Sequence, residues 1–430
     1  MKTIQYPAGV QIEITPKCNH NCIHCYNFWR ANDDPVDNPL DDMSEIAEKV
    51  VNLYPTHVTI TGGEPLLRFE EVKKIVEIMK KSVCTHVSIN TNAALVNDEI
   101  AAFFAVNDIS AFVSLPCGDA MICDKITSTK GSFAKIIRGI KILVEHNVRV
   151  AVNMVVSKIN KDKVYDTAQY AYKELNVTNF FASPVSRPVN ALDDFEKYML
   201  SSEDLCELAD VLILISEDFG IKTEFSVSLP YCSFVTQKQS DRFSYRKHCT
   251  AGKFAYAVDY TGNVKACPRD DKKYGNILTE NFTDIWARME EWRDDSLIPI
   301  ECKKCESKQV CGGGCRLEGY SGSHARNQLD MRANLEFAPL KFKRKVPNYL
   351  YEDDQRFKVN PGMHRITEDV GVRINVGTEF LYITPKLSDF LSERKTVTLL
   401  DMLKIFSGAS KEETKMLISY LIKLMVLIPE

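Results

Sequence analysis

The first 180 or so residues alternate between short apolar runs and longer stretches with helical spacing. Six apolar runs predict strands, most of them apolar on both faces, at residues 10–15, 57–61, 86–90, 111–115, 148–156 and 179–182. Helical spacing occupies the intervals at residues 69–81, 99–106, 133–146 and 163–175. This alternation predicts a parallel sheet with right-handed crossovers. We expect an α/β fold with a partial (β/α)6 TIM-like barrel, because a full eight-fold barrel needs about 250 residues.

The hydrophobic pattern changes after residue 190. Residues 200–220 predict another helix, which leads into a cysteine-rich segment extending to about residue 320, and residues 341–351 predict a basic, aromatic linker. From residue 356 onward three short strands precede three helices, a small α+β pattern. The predicted strands are 363–366, 371–375 and 380–383, with a turn at Gly377 and Thr378. We therefore expect a barrel at 1–190, a cysteine-rich domain at 191–335, a linker at 336–355 and a last domain at 356–430.

The last predicted helix has the clearest boundary signal in the chain. Ser410 and Glu413 have the spacing of a capping box. The apolar residues that follow share one helical face at Met416, Leu417, Tyr420, Leu421 and Leu424. We expect this face to be buried.

Composition narrows the possible partners and compartment. Over 430 residues the net charge is −4, so no basic field exists to attract nucleic acid or an anionic membrane surface. No apolar run approaches the roughly 20 residues of a membrane span, and the first nine residues lack a signal-peptide core. We expect a cytoplasmic protein. In that compartment 14 cysteines indicate metal or redox chemistry rather than disulfides.

Three of these cysteines crowd the start of the chain. Cys18, Cys22 and Cys25 follow the first predicted strand on one short loop. Three thiolates can hold three irons of a cubane cluster and leave the fourth iron free to bind a substrate. The alternative is a zinc knuckle, because His20 and His24 lie beside them.

A second motif, Gly62-Gly63-Glu64-Pro65, ends the second predicted strand. Two glycines permit close backbone approach, and a glutamate at the carboxyl end of a barrel strand can bind an ammonium group. Other polar residues fall at the ends of later strands or within them, namely Asn90, Thr91, Asn92, Ser114 and Asn153.

The cysteine triad and the Gly-Gly-Glu-Pro turn together resemble the signature of the radical S-adenosylmethionine (SAM) superfamily. The resemblance implies a [4Fe–4S] cluster on the three cysteines, whose open iron chelates SAM and whose electron releases a 5′-deoxyadenosyl radical. It implies that Glu64 binds the amino group of SAM and that His24 lies near the adenine. Ser114 and Asp124 are then candidates for the ribose or carboxylate of SAM, with turn capping as their alternative role.

The later cysteines have the spacing Cys249-x12-Gly262-x4-Cys267, then Cys302-x2-Cys305-x5-Cys311-x3-Cys315. This resembles the SPASM extension that follows many radical SAM barrels and binds auxiliary iron–sulfur clusters. The resemblance implies one cluster on Cys249, Cys267 and Cys315 and a second on Cys302, Cys305 and Cys311. A zinc ribbon is the alternative.

The sequence departs from the SPASM pattern because no cysteine follows Cys315. The second cluster could then use Asp330 or His324, or remain open or incomplete. An unligated iron could instead bind a substrate thiolate. Cys232 could complete the first cluster, or be a buried inert thiol.

Cys117 lies just past the fourth predicted strand. A thiol facing the radical site could donate a hydrogen atom, as an epimerase requires, and a packed loop thiol is the alternative reading.

The terminal pattern of strands and helices resembles a PqqD-like domain with a winged-helix-like form. The resemblance implies that residues 356–430 bind the leader of a precursor peptide, which would add a strand to the edge at 379–383 beside the helix at 411–424. A dimerisation or capping module is the alternative. The cluster Lys341, Lys343, Arg344 and Lys345 could meet an acidic leader, or be solvated linker.

Together these resemblances imply an enzyme that modifies a ribosomally made peptide, with a thioether or carbon–carbon crosslink as the leading outcome. They also imply an external electron donor such as flavodoxin or ferredoxin. The alternatives are peptide epimerisation, a sulfatase-maturing oxidation of a Cys or Ser side chain, a small-molecule dehydrogenase, and a zinc-stabilised scaffold. The sulfatase-type reading expects an Asp directly after Cys267, where this chain has Pro268.

Overall fold

The computed structural model describes residues 4–27, 40–82, 85–188, 194–244, 248–323, 325–336, 351–368, 371–376, 379–406 and 408–430. The predicted linker falls largely outside these ranges, as do His324 and the turn at Gly377 and Thr378. Among the described helices, none has the length and apolar character that crossing a membrane requires.

A ten-stranded sheet forms the body of the protein. Its strands are β1 (Gly9–Glu13), β2 (His57–Thr61), β3 (His86–Thr91), β4 (Ser110–Ser114), β5 (Val150–Val156), β6 (Asn179–Pro184), β7 (Lys222–Phe225), β8 (Ala255–Val258), β9 (Asn263–Lys265) and β10 (Gly275–Asn276). Their order is β10-β9-β8-β1-β2-β3-β4-β5-β6-β7. Strand β8 is parallel to β1, and the antiparallel pairs are β8–β9 and β9–β10. The sheet is open, which confirms a partial barrel.

Helices cover the sheet between successive strands. They are α1 (Leu40–Val51), α2 (Phe69–Met79), α3 (Asp98–Val106), α4 (Ala120–Thr127), α5 (Ser132–Glu145), α6 (Val164–Leu175) and α7 (Ser202–Phe219). All six predicted strands form. The sequence pattern predicted neither α1 nor α4. Its last strand was β6, so it also missed the parallel strand β7.

Apolar spacing explains why these helices pack as they do. In α5 the buried positions Ile136, Ile137, Ile140 and Leu143 recur at helical spacing, and they join the strand residues in one continuous core. The carboxyl ends of the parallel strands all meet at one edge of the sheet, where parallel barrels place their chemistry.

The cysteine-rich region is built from short elements that pack against the barrel. They are α8 (Gln237–Phe243), α9 (Phe282–Ala287), α10 (Ile300–Lys303), α11 (Lys308–Cys311) and α12 (Arg316–Ser323). The β8–β9 hairpin turns at Gly262, whose φ is +83° and whose added Cβ would lie 2.8 Å from Asn276 Oδ1. Because β8 pairs with β1, this region is continuous with the barrel sheet.

The last 75 or so residues form a separate core, which we call the C-terminal module. Its strands are β11 (Arg356–Val359), β12 (His364–Glu368), β13 (Gly371–Val376), β14 (Glu379–Ile383), β15 (Thr396–Thr398) and β16 (Leu427–Pro429). Two sheets form, β15-β11-β16 and β12-β13-β14. Its helices are α13 (Pro385–Ser392), α14 (Leu399–Ile405) and α15 (Lys411–Lys423). The sequence pattern predicted the second sheet and the helices, and it lacked the first sheet.

Helix α15 begins as predicted and buries part of the predicted face. Ser410 Oγ accepts from Glu413 N and the Glu413 carboxylate accepts from Ser410 N, so the capping box forms. Leu421 is buried, and Leu417 and Leu424 pack against the same core, whereas Met416 is 41% exposed. The buried face also extends to residues outside the prediction, namely Thr414, Ile418, Ser419 and Ile422, because β16 and α14 pack on the helix.

Candidate functional site

The Cys18–Cys22–Cys25 loop leaves the carboxyl end of β1 and is anchored by backbone hydrogen bonds. Asn21 N donates to Thr127 O at 3.0 Å, and Ile23 N donates to Ile126 O at 2.9 Å. These acceptors lie at the carboxyl end of α4. All three cysteines are reduced and partly buried. The predicted aromatic position, His24, lies partly buried in the same loop.

The Gly62-Gly63 turn contacts the backbone that precedes Cys18. Gly63 N donates to Thr15 O at 2.7 Å, and Glu64 N donates to Lys17 O at 2.8 Å. A Cβ on Gly63 would lie 2.0 Å from Lys17 O, so no side chain fits there. Gly62 has a φ of +141°, and its carbonyl accepts from Asn27 Nδ2. The two sequence motifs therefore form one site.

Glu64 is 1% exposed and accepts three hydrogen bonds. The donors are Leu66 N at 3.1 Å, Thr91 Oγ1 at 2.7 Å and Asn92 N at 2.8 Å. Burial raises the pKa of this carboxyl to about 7, although the three donors act in the opposite direction. With four lone pairs, the carboxylate can accept a further bond from a cationic ligand. Pro65 begins a short 3₁₀ helix directly after it, which fixes the turn.

Asn92 links this carboxylate to the cysteine loop. Its backbone N–H binds Glu64, while its side-chain amide donates to Asn19 Oδ1 at 2.7 Å and lies 4.0 Å from Cys18 Sγ. The sequence placed Asn92 at a strand end without giving it a role. The available sequence signal was a pair of asparagines, Asn19 in the cysteine motif and Asn92 after β3.

Other predicted SAM contacts lie on neighbouring strands. Asn90 is partly buried on β3, and Ser114 is exposed at the end of β4, opposite Asn153 in the register of β5. Asn153 Oδ1 accepts from Ser183 Oγ at 2.8 Å and Ser226 Oγ at 3.1 Å. Ser114 is thus free to approach a ligand, whereas the Asn153 carbonyl is already used.

Asp124 serves a helix rather than a cofactor. Its carboxylate accepts from Gly131 N at 2.5 Å and from Ser132 Oγ and Phe133 N at 2.9 Å each, at the start of α5. The bond from Phe133 N is the largest of the contacts that lower its pKa. Both oxygens are engaged, which favours the turn-capping alternative for Asp124 over a SAM contact.

Cys117 lies in the apolar core and is 0% exposed. Asp119 N approaches its sulfur at 3.4 Å and Thr167 Oγ1 at 3.9 Å, and burial raises its pKa. This is the environment of a packing residue, not of a hydrogen-atom donor that faces a substrate.

In the first later set of cysteines, Cys249, Cys267 and Cys315, the thiols interact electrostatically with one another. Burial raises the pKa of Cys249 to about 11, with a further contribution from Cys315. Burial raises the pKa of Cys267 to about 12, with contributions from Cys249 and Cys315. Arg269 Nη1 lies 3.7 Å from Cys315 Sγ and 2.7 Å from Glu318 Oε1. This buried ion pair was not predicted from the sequence.

In the second set, Cys302 interacts electrostatically with Cys305 and Cys311, and Cys232 interacts with Cys302 and Cys311. Burial raises the pKa of Cys302 to about 11, with contributions from Cys311 and Cys305. Burial likewise raises the pKa of Cys232 to about 11, and the charged neighbours that add to this are Cys311 and Cys302. These contacts favour the second set over the first for Cys232, because Tyr231 beside it binds Val310 and Cys311.

Asp330 is not available as a replacement ligand. It is 0% exposed and accepts from Cys315 N at 2.8 Å and from Arg332 N, Nε and Nη2 at 3.0, 2.9 and 2.8 Å. Its carboxylate fixes the loop that carries Cys315. The other suggested ligand, His324, lies outside the described residues.

A buried ion pair links strand β1, which precedes the Cys18 loop, to strand β9, which precedes Cys267. Lys265 Nζ lies 2.5 Å from Glu13 Oε2, and each residue is 1% exposed. Burial is the largest cause that raises the pKa of Glu13 to about 7, while Lys265 opposes it. Tyr26, next to Cys25, interacts electrostatically with Glu13, Cys25 and Cys267, so it lies between the first triad and the first later set. A strand-borne Lys two residues before Cys267 was the only sequence signal.

The chemistry of the donor sets bears on which metal they suit. Each set consists of cysteines alone, and each thiolate of a cubane binds a separate iron. Buried thiols that raise one another's pKa are stabilised as thiolates by a cationic centre. The donor sets fit iron–sulfur clusters.

Comparison with known proteins identifies two domains in the chain. Residues 12–171 match the Radical SAM superfamily, and residues 249–311 match an iron–sulfur cluster-binding domain called SPASM. Neither match extends into the C-terminal module.

Curated relatives and solved structures agree with this division. An AdoMet-dependent heme synthase of Methanosarcina barkeri is 24% identical over 74% of this chain and 93% of its own length. The mycofactocin maturase MftC of Mycolicibacterium smegmatis is 26% identical over 72% of this chain and 78% of its own. The structure of Streptococcus suis SuiB bound to precursor peptide SuiA has a TM-score of 0.61 at 17% identity, covering 76% of each chain. This structural similarity shows that the fold is shared.

Proposed function

Given a chain with a radical SAM domain followed by a SPASM domain, we propose an enzyme that crosslinks a ribosomally made precursor peptide through a thioether or a carbon–carbon bond. The observation that carries this proposal is the junction of the two motifs, where Gly63 and Glu64 bind the backbone before Cys18. That junction places a buried carboxylate beside a triad of thiols.

The residues of this junction divide the work of holding the cofactors. Cys18, Cys22 and Cys25 would hold the [4Fe–4S] cluster, and Glu64 would accept the amino group of SAM. Asn92 fixes Glu64 relative to Cys18. Ser114 is an exposed polar residue at the end of β4. When bound, the cluster and SAM supply a 5′-deoxyadenosyl radical, for which the chain needs a one-electron donor such as flavodoxin or ferredoxin.

Crosslinking requires a second electron to leave the peptide. Forming one new bond at two positions removes two hydrogens, of which one leaves with the radical and the other departs as a proton and an electron. The thiol sets Cys249/Cys267/Cys315 and Cys302/Cys305/Cys311 would hold auxiliary clusters that accept this electron. The Lys265–Glu13 pair and Tyr26 lie between the two ends of that path.

The C-terminal module supports a peptide as the substrate. Among the described residues strand β14 pairs with β13 alone, so its other edge can accept an added strand. SuiB, whose fold is similar, has been solved with its precursor peptide. Helix α15 packs on α14 and β16, so α13, which packs on β13, is the better candidate for a flanking helix.

The proposal is tested with the anaerobic protein, SAM, dithionite and the short peptide encoded beside its gene. We expect 5′-deoxyadenosine to accumulate in step with a peptide that has lost a pair of hydrogens. Production of 5′-deoxyadenosine without a change in peptide mass would retain the radical chemistry and contradict this substrate. The absence of both would contradict the proposed function.

The site of leader binding is tested by photocrosslinking. A photoreactive amino acid in place of Glu379, the exposed first residue of β14, should capture the leader. The same amino acid in place of His364, the exposed first residue of the opposite edge strand β12, is the matched control. Capture at His364 alone, or equally at both positions, would contradict strand addition at β14.

The rival activities have less support from the contacts. In the sulfatase-type reading Asp270 would be the nearest candidate base, but it is 0% exposed and its carboxylate pairs with Arg326. Epimerisation would need an accessible thiol, and Cys117 is buried. A zinc scaffold is distinguished by metal analysis, because three cubanes bring about twelve irons per chain.

A further inference from the structure

The SPASM region contains more thiols near its second set than the family spacing alone accounts for. Cys302, Cys305 and Cys311 lie on the short helices α10 and α11 and the turn between them. A fourth thiol, Cys232, reaches them from a segment about 70 residues earlier in the chain, between β7 and α8.

This earlier segment is fixed against the loop of the second set by specific contacts. Tyr231 N donates to Cys311 Sγ at 3.4 Å, and Tyr231 Oη donates to Val310 O at 3.2 Å. A Cβ on Gly314 would lie 2.6 Å from Pro230 Cγ, so the backbone at Gly314 packs against the proline ring. On the other side, Ser233 Oγ donates to Arg332 O at 2.6 Å. Residues on both sides of Cys232 are therefore held.

The electrostatic surroundings of Cys232 agree with the packing of this segment. Burial, Cys311 and Cys302 raise the pKa of Cys232, and a backbone hydrogen bond with Asn334 opposes them. The neighbouring half-buried thiol Cys206 has its sulfur 3.7 Å from Ser233 O, and the carboxylates of Asp210, Glu203 and Glu207 add to burial in raising its pKa. The two thiols share a region and differ in whether they face the second set.

We propose that Cys232 is the fourth thiolate ligand of the second auxiliary cluster, completing a set with Cys302, Cys305 and Cys311. This inference rests on the proposed function only in taking the SPASM region to bind iron–sulfur clusters. It explains how the chain satisfies the second cluster without a cysteine after Cys315: the ligand comes from upstream. Four thiolates leave each iron of that cluster with a protein ligand.

The same arrangement leaves three thiols in the first set. Among the other described cysteines, Cys117 contacts Thr167, Cys123 contacts Ser132 and Cys206 contacts Ser233. None of these contacts belongs to the first set. The two auxiliary clusters thus differ in kind, one fully ligated by cysteine and one with three cysteine ligands beside Arg269.

The test counts iron and sulfide in a background that lacks the SAM-binding cluster. The variant C18A/C22A/C25A should hold about eight irons per chain as two auxiliary cubanes. Adding Cys232→Ala should lower this to about four, or convert one cluster to a [3Fe–4S] form visible by electron paramagnetic resonance. Adding Cys206→Ala, the matched control, should leave both clusters intact.

Two results would overturn the proposal. One is a Cys232→Ala protein with the full iron count and a Mössbauer spectrum identical to its background. The other is zinc in place of iron at the second set. If the alanine variant does not fold, Cys232→Ser replaces it: an oxygen ligand should keep the cluster and shift its resonance spectrum, and an unshifted spectrum would contradict ligation. These measurements use neither SAM nor peptide, so they stand or fall separately from the proposed function.

Discussion

At the scale of single residues, the site depends on a carboxylate that the protein keeps out of water. Glu64 is 1% exposed, and burial raises its pKa to about 7 despite three donors. A carboxylate in such a place is stabilised when a cation arrives, since the ligand replaces lost hydration. This is the electrostatic basis for assigning it the amino group of SAM.

Replacing Glu64 with Gln should weaken SAM binding by roughly 10–100-fold, because a hydrogen bond to a charged group contributes about 1.5–3 kcal/mol. The measurement is equilibrium dialysis of SAM against the cluster-loaded protein. Parent affinity should also fall as the pH drops below about 7, because the carboxyl then takes up a proton. The Glu64→Gln protein should lack that pH dependence.

The matched control is Glu70→Gln, which removes an exposed carboxylate of α2 that pairs with Lys73. It should bind SAM like the parent. Equal affinities for the parent and Glu64→Gln would remove Glu64 from the cofactor site.

His57 gives a second residue-scale prediction, at the opposite end of the sheet. Burial lowers its pKa to about 4, with a contribution from His86, and its Nε2 lies 3.0 Å from Ser88 Oγ. Between its ordinary value and about 4, the unfolded chain binds a proton that the folded chain does not, so stability falls as the pH falls.

The test compares urea unfolding of the parent and His57→Asn, which keeps a polar partner for Ser88 and does not titrate. From about pH 7.5 to about pH 5, the parent should lose about 2 kcal/mol more than the variant. Equal losses would mean that His57 is protonated in the folded protein.

At the scale of elements, one tight turn couples two motifs that lie about 40 residues apart in sequence. A Cβ at Gly63 would come 2.0 Å from Lys17 O, a backbone atom that cannot move without moving Cys18. The turn after β2 therefore sets the position of the loop after β1.

Substituting Gly63→Ala should displace the Cys18 loop and reduce occupancy of the SAM-binding cluster by more than half. The readouts are iron per chain and the change in the reduced resonance spectrum when SAM is added. Gly408→Ala is the control, because its added Cβ meets nothing within 4 Å. A Gly63→Ala protein with full iron and a normal response to SAM would show that the loops are not coupled.

Local patterns explain why the sequence predicted so much of the barrel and less of the rest. A buried strand such as β2 has the same apolar pattern wherever it packs, so it can be predicted from its own residues. A helix cap such as Ser410 with Glu413 depends only on residues a few positions apart. The position of Cys232 depends on contacts with residues 310–314, about 80 residues away. Asp124 likewise reads as a generic acidic residue until the start of α5 is seen to bind it. Neither contact leaves a periodic pattern of apolar and polar residues in the sequence.

At the scale of the whole molecule, the C-terminal module is held to the barrel by a buried arginine. Arg373 on β13 is 0% exposed and donates to the carbonyls of Tyr6 and Tyr54, next to the starts of β1 and β2. Glu368 on β12 accepts from Gln5 N at 2.8 Å. Phe380 of β14 packs on Phe254, with ring centroids 6.4 Å apart.

One face of the β12-β13-β14 sheet therefore covers the barrel, and the other covers the module's own core through Ile374 and Ile383. Both faces of β13 are buried, which is why its residues from Gly371 to Asn375 are all inaccessible. Among the described residues β14 is an edge strand of this sheet that contacts the barrel through Phe380, so a peptide added to it would be aligned by the same interface.

Replacing Arg373 with Met should loosen this interface, because removing one member of a buried charged group costs about 3–5 kcal/mol. Hydrogen exchange should rise at residues 4–10 and 54–58, where the acceptors lie, while the barrel core at β3 to β5 keeps its protection. Arg365→Met is the matched control: Arg365 pairs with Asp389 at the surface, within the module alone, and its loss should leave residues 4–10 unchanged. If the leader peptide still binds the Arg373→Met protein but is modified more slowly, the interface positions the peptide rather than recognising it. Unchanged exchange at residues 4–10 and 54–58 would mean that the remaining contacts, from Glu368 and Phe380, hold the module without Arg373.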